Sequence, residues 1–134
     1  MRVRPILFAL LVAAGCSKKE APVDEGDPAA AEQANAAVTP DVGKAKEIFA
    51  QRCTPCHGAT GAGDGPASAT LNPKPRMFTD PEWQKSVTDE HIEKIVKFGG
   101  AAVGKSAAMP SNPDLTDPAV VAGLRVVVRS FKPN

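Results

Sequence analysis

Three side chains with ligating or nucleophilic chemistry fall within five positions: Cys53, Cys56 and His57, in the run Cys-Thr-Pro-Cys-His. That spacing supports three chemistries. A structural zinc ion takes about four ligands. This cluster offers three, and the other histidine, His91, falls in a charged helical stretch where a solvated position is its natural reading. A thiol-disulfide centre places its pair after a strand and at the start of a helix, near a βαβ pattern. Here a helical stretch precedes the pair and no strand pattern is evident. The third chemistry is covalent haem attachment. Two thiols at this spacing reach the two vinyl groups of one porphyrin as thioethers, and the adjacent imidazole faces the iron from the same side. This use engages all three residues and lacks no ligand on their side, so Cys53, Cys56 and His57 are read as the attachment points and the proximal iron ligand of one haem c.

The residue on the other face of the iron decides between electron transfer and small-molecule binding. Candidates are Met77, Met109, His91 or an open position. Met109 lies in a loop between two helical stretches, and the following Pro110 stiffens that loop and cannot continue a helix. Met77 sits in a Pro-bounded stretch and reads as a flexible apolar side chain filling a gap near the haem edge.

The elements that must position these residues are helical. Thr39 and Pro40 supply an N-cap and a first helical position, and Val42, Ala45, Ile48 and Phe49 follow on one face up to the cysteine run. Gly58, Gly61, Gly63, Gly65 and Pro66, then Pro73, Pro75 and Pro81, predict a long irregular stretch. Thr88 caps a second helix carrying Ile92, Ile95, Val96 and Phe98 on one side, with Asp89 and Glu90 at its positive end and Gly99 and Gly100 at its close. A third helix starts near Thr116 to Pro118 and carries Val120, Val121, Leu124, Val127, Val128 and Phe131. Three helices joined by such loops leave a thin core, which is a second, independent sign that something large and apolar fills the middle.

The 134 residues leave room for one ordinary domain. Arg2 and Arg4 precede an apolar run from Ile6 to Ala14, about half the length needed to span a bilayer, so residues 1–15 read as an export signal. Ala13-Ala14-Gly15-Cys16 resembles a bacterial lipobox, with Ala13 where Leu is commonest; Cys16 then becomes the lipidated first residue of the mature chain. Residues 16–40 form a polar tether, in which two lysines against five acids give a net −3. With almost no large apolar side chain it cannot repay the entropy of ordering. Residues 41–134 hold 12 basic and 10 acidic side chains, a net +2. With no long basic run, nucleic acid is not an expected partner.

The folded part resembles the class I c-type cytochromes along residues 41–134. Ala45 and Phe49 match their N-terminal helix, and Leu124 falls where the C-terminal helix crosses it. Gly63 to Phe78 and Ala101 to Pro110 are similar to the loops of small bacterial members; Val127 stands where an aromatic is frequent. The resemblance implies an all-α, cytochrome c-like fold of three main helices around one covalently bound haem. It points to Met109 as the distal ligand, giving His/Met ligation through His57 and Met109. It also implies that a proline carbonyl, matched by Pro66, accepts from the other His57 nitrogen. Arg76 and Trp83 are candidate propionate donors. The expected function is one-electron transfer between redox protein partners, not an enzymatic reaction. The chain is expected to be exported, anchored by lipid to a bacterial membrane and facing the periplasm. The alternative is a haem c enzyme subunit or gas sensor with an open distal site.

Overall fold

A computed structural model describes residues 38–133, which are helical and contain no strand among the described residues. The expectations for the export signal, for Cys16 and for most of the tether lie outside those residues. The elements are α1 (Val42–Ile48), a π-helical turn (Phe49–Cys53), α2 (Thr54–His57), a 3-10 turn (Pro66–Thr70), α3 (Pro81–Ser86), α4 (Asp89–Phe98), a 3-10 turn (Ala101–Val103) and α5 (Pro118–Ser130). No described helix is long and apolar enough to cross a membrane.

The three main helices of the sequence reading are α1, α4 and α5, with two corrections. The first helix is capped by Asp41, whose side chain accepts from the Lys44 amide at 3.0 Å, and so starts later than Thr39 and Pro40 suggest. A short carboxylate one residue ahead of Val42 simply reaches the orphan amide better. The stretch read as irregular through Pro81 contains α3. Asp80 accepts from the amides of Glu82 and Trp83 at 3.0 and 3.2 Å, and Pro81 occupies the first position. The predicted Thr88 cap and Gly99 close of α4 are both present.

The core forms where α1 and α5 cross. Ala45, Phe49, Val120, Val121, Leu124, Val127 and Val128 are buried there, joined by Phe78, Ile92 and Leu115. Leu124 is 1 % exposed, as its predicted place requires, but the point of closest approach is the neighbouring Gly123. A Cβ at Gly123 would stand 2.3 Å from the Asp41 carbonyl oxygen and 2.9 Å from the Ala45 Cβ. Backbone thus lies on backbone. Val127 carries no aromatic, but Phe131, one turn later, packs tilted against Phe49 with ring centroids 5.3 Å apart and planes inclined by 41°.

A polar seam joins α3 and α4 to α5. The Arg129 guanidinium donates to the carbonyls of Gln84 and Val87 at 2.6 and 2.8 Å and to Asp89 at 2.8 Å, and Arg125 also pairs with Asp89. Buried Gln84 spends both amide hydrogens on the carbonyls of Phe78 and Val128, at 2.8 and 2.9 Å. Arg125 Nε and Glu93 Oε1 lie 3.0 Å apart, close enough to attract as charges without the alignment of a hydrogen bond. Burial pushes the Asp89 carboxyl up, but the hydrogen bonds from Arg125 and Arg129 outweigh it and hold the group below its ordinary value.

Two predictions follow from this packing. Gly123→Ala should destabilise the protein by about 1–3 kcal/mol through overpacking. Gly43→Ala, exposed in α1 with only the Asp41 carboxylate at 3.6 Å, should be neutral or gain up to about 1 kcal/mol of helix propensity; urea unfolding distinguishes the two. Because the folded Asp89 titrates below its unfolded value, its contribution is complete above about pH 4 and is lost as pH falls through the folded value. Asp89→Asn should therefore cost on the order of 1–2 kcal/mol at neutral pH, discounted for its partial exposure, and should flatten the acid limb of stability against pH.

Candidate haem attachment site

The helix that leads to the cysteines changes pitch before it reaches them. From Phe49 to Cys53 it is π-helical, and both the amide and the hydroxyl of Thr54 donate to the Phe49 carbonyl, the hydroxyl at 3.2 Å. Single π turns collect at functional sites, and Thr54 pins this one with two bonds to one acceptor. The apolar spacing alone predicts a continuous helix running into the cysteines. Pro55 then opens α2, the single turn that carries Cys56 and His57.

The glycine-rich loop after α2 closes over this turn. The amides of Gly58, Gly63 and Gly65 donate to the carbonyls of Thr54, His57 and Cys56 at 2.9, 2.8 and 3.2 Å, so α2 does not end in orphan acceptors. Gly65 comes so near that a Cβ would stand 2.4 Å from the carbonyl oxygens of both Thr54 and Pro55. Glycine at 65 is a requirement of close approach.

Both thiols are free and half-buried, and the His57 ring is buried. Burial pushes the Cys53 thiol up to about 11, with the neighbouring Arg52 charge only partly opposing it. A thiol so far from ionising is poorly suited to thiol-disulfide exchange, which works through the thiolate. Burial also lowers the His57 imidazole below its ordinary value, opposed in part by a backbone hydrogen bond. The ring is therefore neutral at pH 7.

That hydrogen bond runs from His57 Nδ1 to the carbonyl of Arg76 at 3.1 Å, and a carbonyl can only accept. The proton is therefore on Nδ1, and the Nε2 lone pair is left to a metal. The acceptor corrects the expectation of Pro66. In this fold Pro66 begins the 3-10 turn, while the segment around Arg76 passes beside the imidazole. The face of the His57 ring lies on Phe78, with centroids 4.4 Å apart and planes inclined by 14°. Two half-buried thiols and one neutral imidazole with its Nε2 lone pair free, all on adjoining turns, fit the two thioethers and the iron bond of a covalently attached haem.

The other sequence candidates lie elsewhere. Met109 is half-buried in the loop after α4, where its carbonyl accepts from the Gly100 amide at 3.0 Å and its amide donates to Ser106 at 3.2 Å. Asn112 fastens the same loop to the last turn of α4, through the carbonyls of Lys97 and Val96 at 2.9 and 2.8 Å. Met77 is 47 % exposed and so fills no gap in the protein core. His91 sits half-buried in the first turn of α4. Arg76 and Trp83 are engaged with each other, the guanidinium 5.9 Å from the indole centroid, and Arg76 also pairs with Asp80 at 3.5 Å. Arg52, beside Cys53, forms a two-pronged pair with Asp114 in the loop beyond Met109, at 2.9 and 2.7 Å. Sequence reasoning missed Phe78 and the Arg76 carbonyl. An aromatic two places after a candidate propionate donor was a usable signal; the carbonyl has none, since every residue carries one.

Comparisons with known proteins agree with this geometry. A protein-family model described as cytochrome c oxidase, cbb3-type, subunit III, matches residues 40–123, more than half of the chain. The solved structure of the KustC0563 c-type cytochrome superposes with a TM-score of 0.52 at 28% identity, over 66% of this chain and 98% of that one. No curated protein matches the chain.

Proposed function

This chain belongs to the cytochrome c family described as cytochrome c oxidase, cbb3-type, subunit III, and from that premise we propose that it is a one-electron carrier with His/Met ligation of a single haem c. The family implies covalently bound haem c, and Cys53, Cys56 and His57 form its attachment motif. When bound, the haem supplies an iron that cycles between ferric and ferrous. The observation that carries the reading is the fixed tautomer of His57, whose Nδ1 proton is held by the Arg76 carbonyl so that the Nε2 lone pair is left to bind a metal.

Each residue then has a separable role. Cys53 and Cys56 each add S–H across a vinyl group and retain the cofactor in a domain too small to wrap it. His57 is the proximal ligand, and the Arg76 carbonyl strengthens its donation by drawing on the Nδ1 proton. Met109 is proposed as the distal ligand; a neutral thioether favours the ferrous state and raises the potential relative to a second histidine. Its loop, tied by backbone hydrogen bonds to the end of α4, is suited to hold one side chain in place. The domain's small net charge gives no strong steering field, so partner docking is proposed to use apolar contacts around the haem edge. The partners are redox proteins. Cys16 is proposed as a lipid anchor and residues 1–15 as its export signal, placing the carrier on the periplasmic side of a bacterial membrane. The tether of residues 16–40 would reach roughly 25–30 Å on average, enough for a small domain to visit membrane partners.

The denatured mature protein should retain one haem by mass spectrometry, and its loss on unfolding would sink the reading. Met109→Ala should leave that mass addition intact, abolish the far-red iron-methionine band, allow carbon monoxide to bind when reduced and lower the potential. Met77→Ala, given its exposure, should cost about 1 kcal/mol or less and leave the band unchanged. The reverse pattern would make Met77 the ligand, and a native protein without the band would favour the open-site reading. Separately, Cys16→Ser should release a soluble haem protein from the membrane fraction; retention there would place the anchor elsewhere.

A further inference from the structure

A ligating imidazole held by one hydrogen bond can still swing about that bond, and its swing changes how the ring's π orbitals meet those of the iron. His57 has one such bond, to the Arg76 carbonyl. We propose that Phe78 is the positioning residue that removes the remaining freedom and fixes the plane of the His57 ring. The proposal rests on the haem reading above and adds a role that neither the attachment motif nor the family description assigns.

The geometry that carries it lies on one short segment. The Arg76 carbonyl holds the edge of the imidazole, and two residues later the Phe78 ring covers its face at 4.4 Å and 14°, near parallel. Such a contact favours the stacked orientation by roughly two- to tenfold over an unstacked one. A positioning residue must itself be held. The Phe78 amide donates to the Gly61 carbonyl at 2.7 Å, and its carbonyl accepts from Gln84 at 2.8 Å, while Gln84 is anchored to Val128 of α5 at 2.9 Å. The ring is buried among Phe49, Trp83 and Phe131, at centroid distances of 6.3, 5.5 and 6.2 Å. Among the aromatic pairs of the described residues, Phe78 alone is stacked on His57. Phe131 belongs to the same cluster and stabilises the same core, so it separates packing from positioning.

The test uses the full-length protein with haem attached and reads the hyperfine-shifted haem-methyl resonances of the ferric state, whose order and spread report the orientation of the axial imidazole. Unmodified protein should show a single set. Phe78→Met and Phe78→Leu, which keep apolar bulk without a planar face, should change the order or spread of the set or split it. Phe78→Tyr, which keeps the face, should restore the original pattern. Phe131→Leu should lower the unfolding temperature and leave the pattern alone. Two exchanging sets in the unmodified protein would overturn the proposal without any variant. So would an unchanged pattern when the face is removed, or a Phe131→Leu pattern altered as much as that of Phe78→Met. The mass of the same samples keeps the two readings apart: absence of covalent haem from the unmodified protein defeats the haem reading, whereas haem present with an indifferent pattern defeats only the role of Phe78.

Discussion

The crossing of α5 over α1 at Gly123 is the contact on which the remaining geometry depends. With no side chain at 123, the two backbones meet at the Asp41 carbonyl, and Ala45 is small enough to let them. That approach carries Phe131 down onto Phe49. Both rings then form the wall against which Phe78 is buried, and Phe78 supports His57. A methyl group at 123 would push on the first member of this series. The packing around Phe78 is thereby continuous with a helix crossing far along the sequence, while the Phe78 backbone is held separately by Gly61 and Gln84.

The less exposed charges are concentrated on the seam between α4 and α5, while those beside the cysteine turn, Arg52 and Arg76, are paired at the surface. Asp89, Glu93, Arg125 and Arg129 neutralise one another between α4 and α5, and Arg129 further satisfies the exposed carbonyls that close α3. Around the cysteine turn, burial instead keeps Cys53 a neutral thiol and His57 a neutral imidazole. A charge balanced by its partner adds less net field than one standing alone, so the paired seam stabilises the fold while leaving little uncompensated charge.

What was legible in the sequence was whatever side chains declare. The Cys-Thr-Pro-Cys-His run, the Thr88 cap, the Gly99 close and the Val-rich helix of α5 all follow from local chemistry, and the structure has them. Features made by backbone were not legible. The carbonyl that accepts from His57 belongs to Arg76 rather than Pro66 because chain path, not residue type, brings it there. The π turn before Cys53 shifts the hydrogen-bond register without altering the apolar stripe, and so leaves no trace in periodicity. α3 was a different kind of miss. Asp80-Pro81 has the same cap and first-position signature as Asp117-Pro118, but its neighbouring prolines drew the reading towards loop. Gly123 inside a helix reads as a weakness until its partner backbone is known.

The His57 turn and the loop proposed to supply Met109 are stiffened by different means. On the His57 side, an aromatic cluster and buried helix crossing hold the ligand by packing, which is dense and costly to loosen. The loop proposed to supply Met109 contributes nothing to the buried core before Leu115; backbone hydrogen bonds to the end of α4 hold it instead. Segments with few buried apolar contacts and exposed hydrogen bonds open at lower free energy than packed ones. The Arg52–Asp114 pair ties the cysteine turn to the segment beyond Met109, and it is solvent-exposed, where such pairs are weak and screened by salt. The Cys53–His57 turn is therefore held by dense packing, whereas the loop around Met109 rests on backbone hydrogen bonds and has the lower local stability. With retention of the haem assigned to Cys53 and Cys56, that looser loop could open without loss of the cofactor.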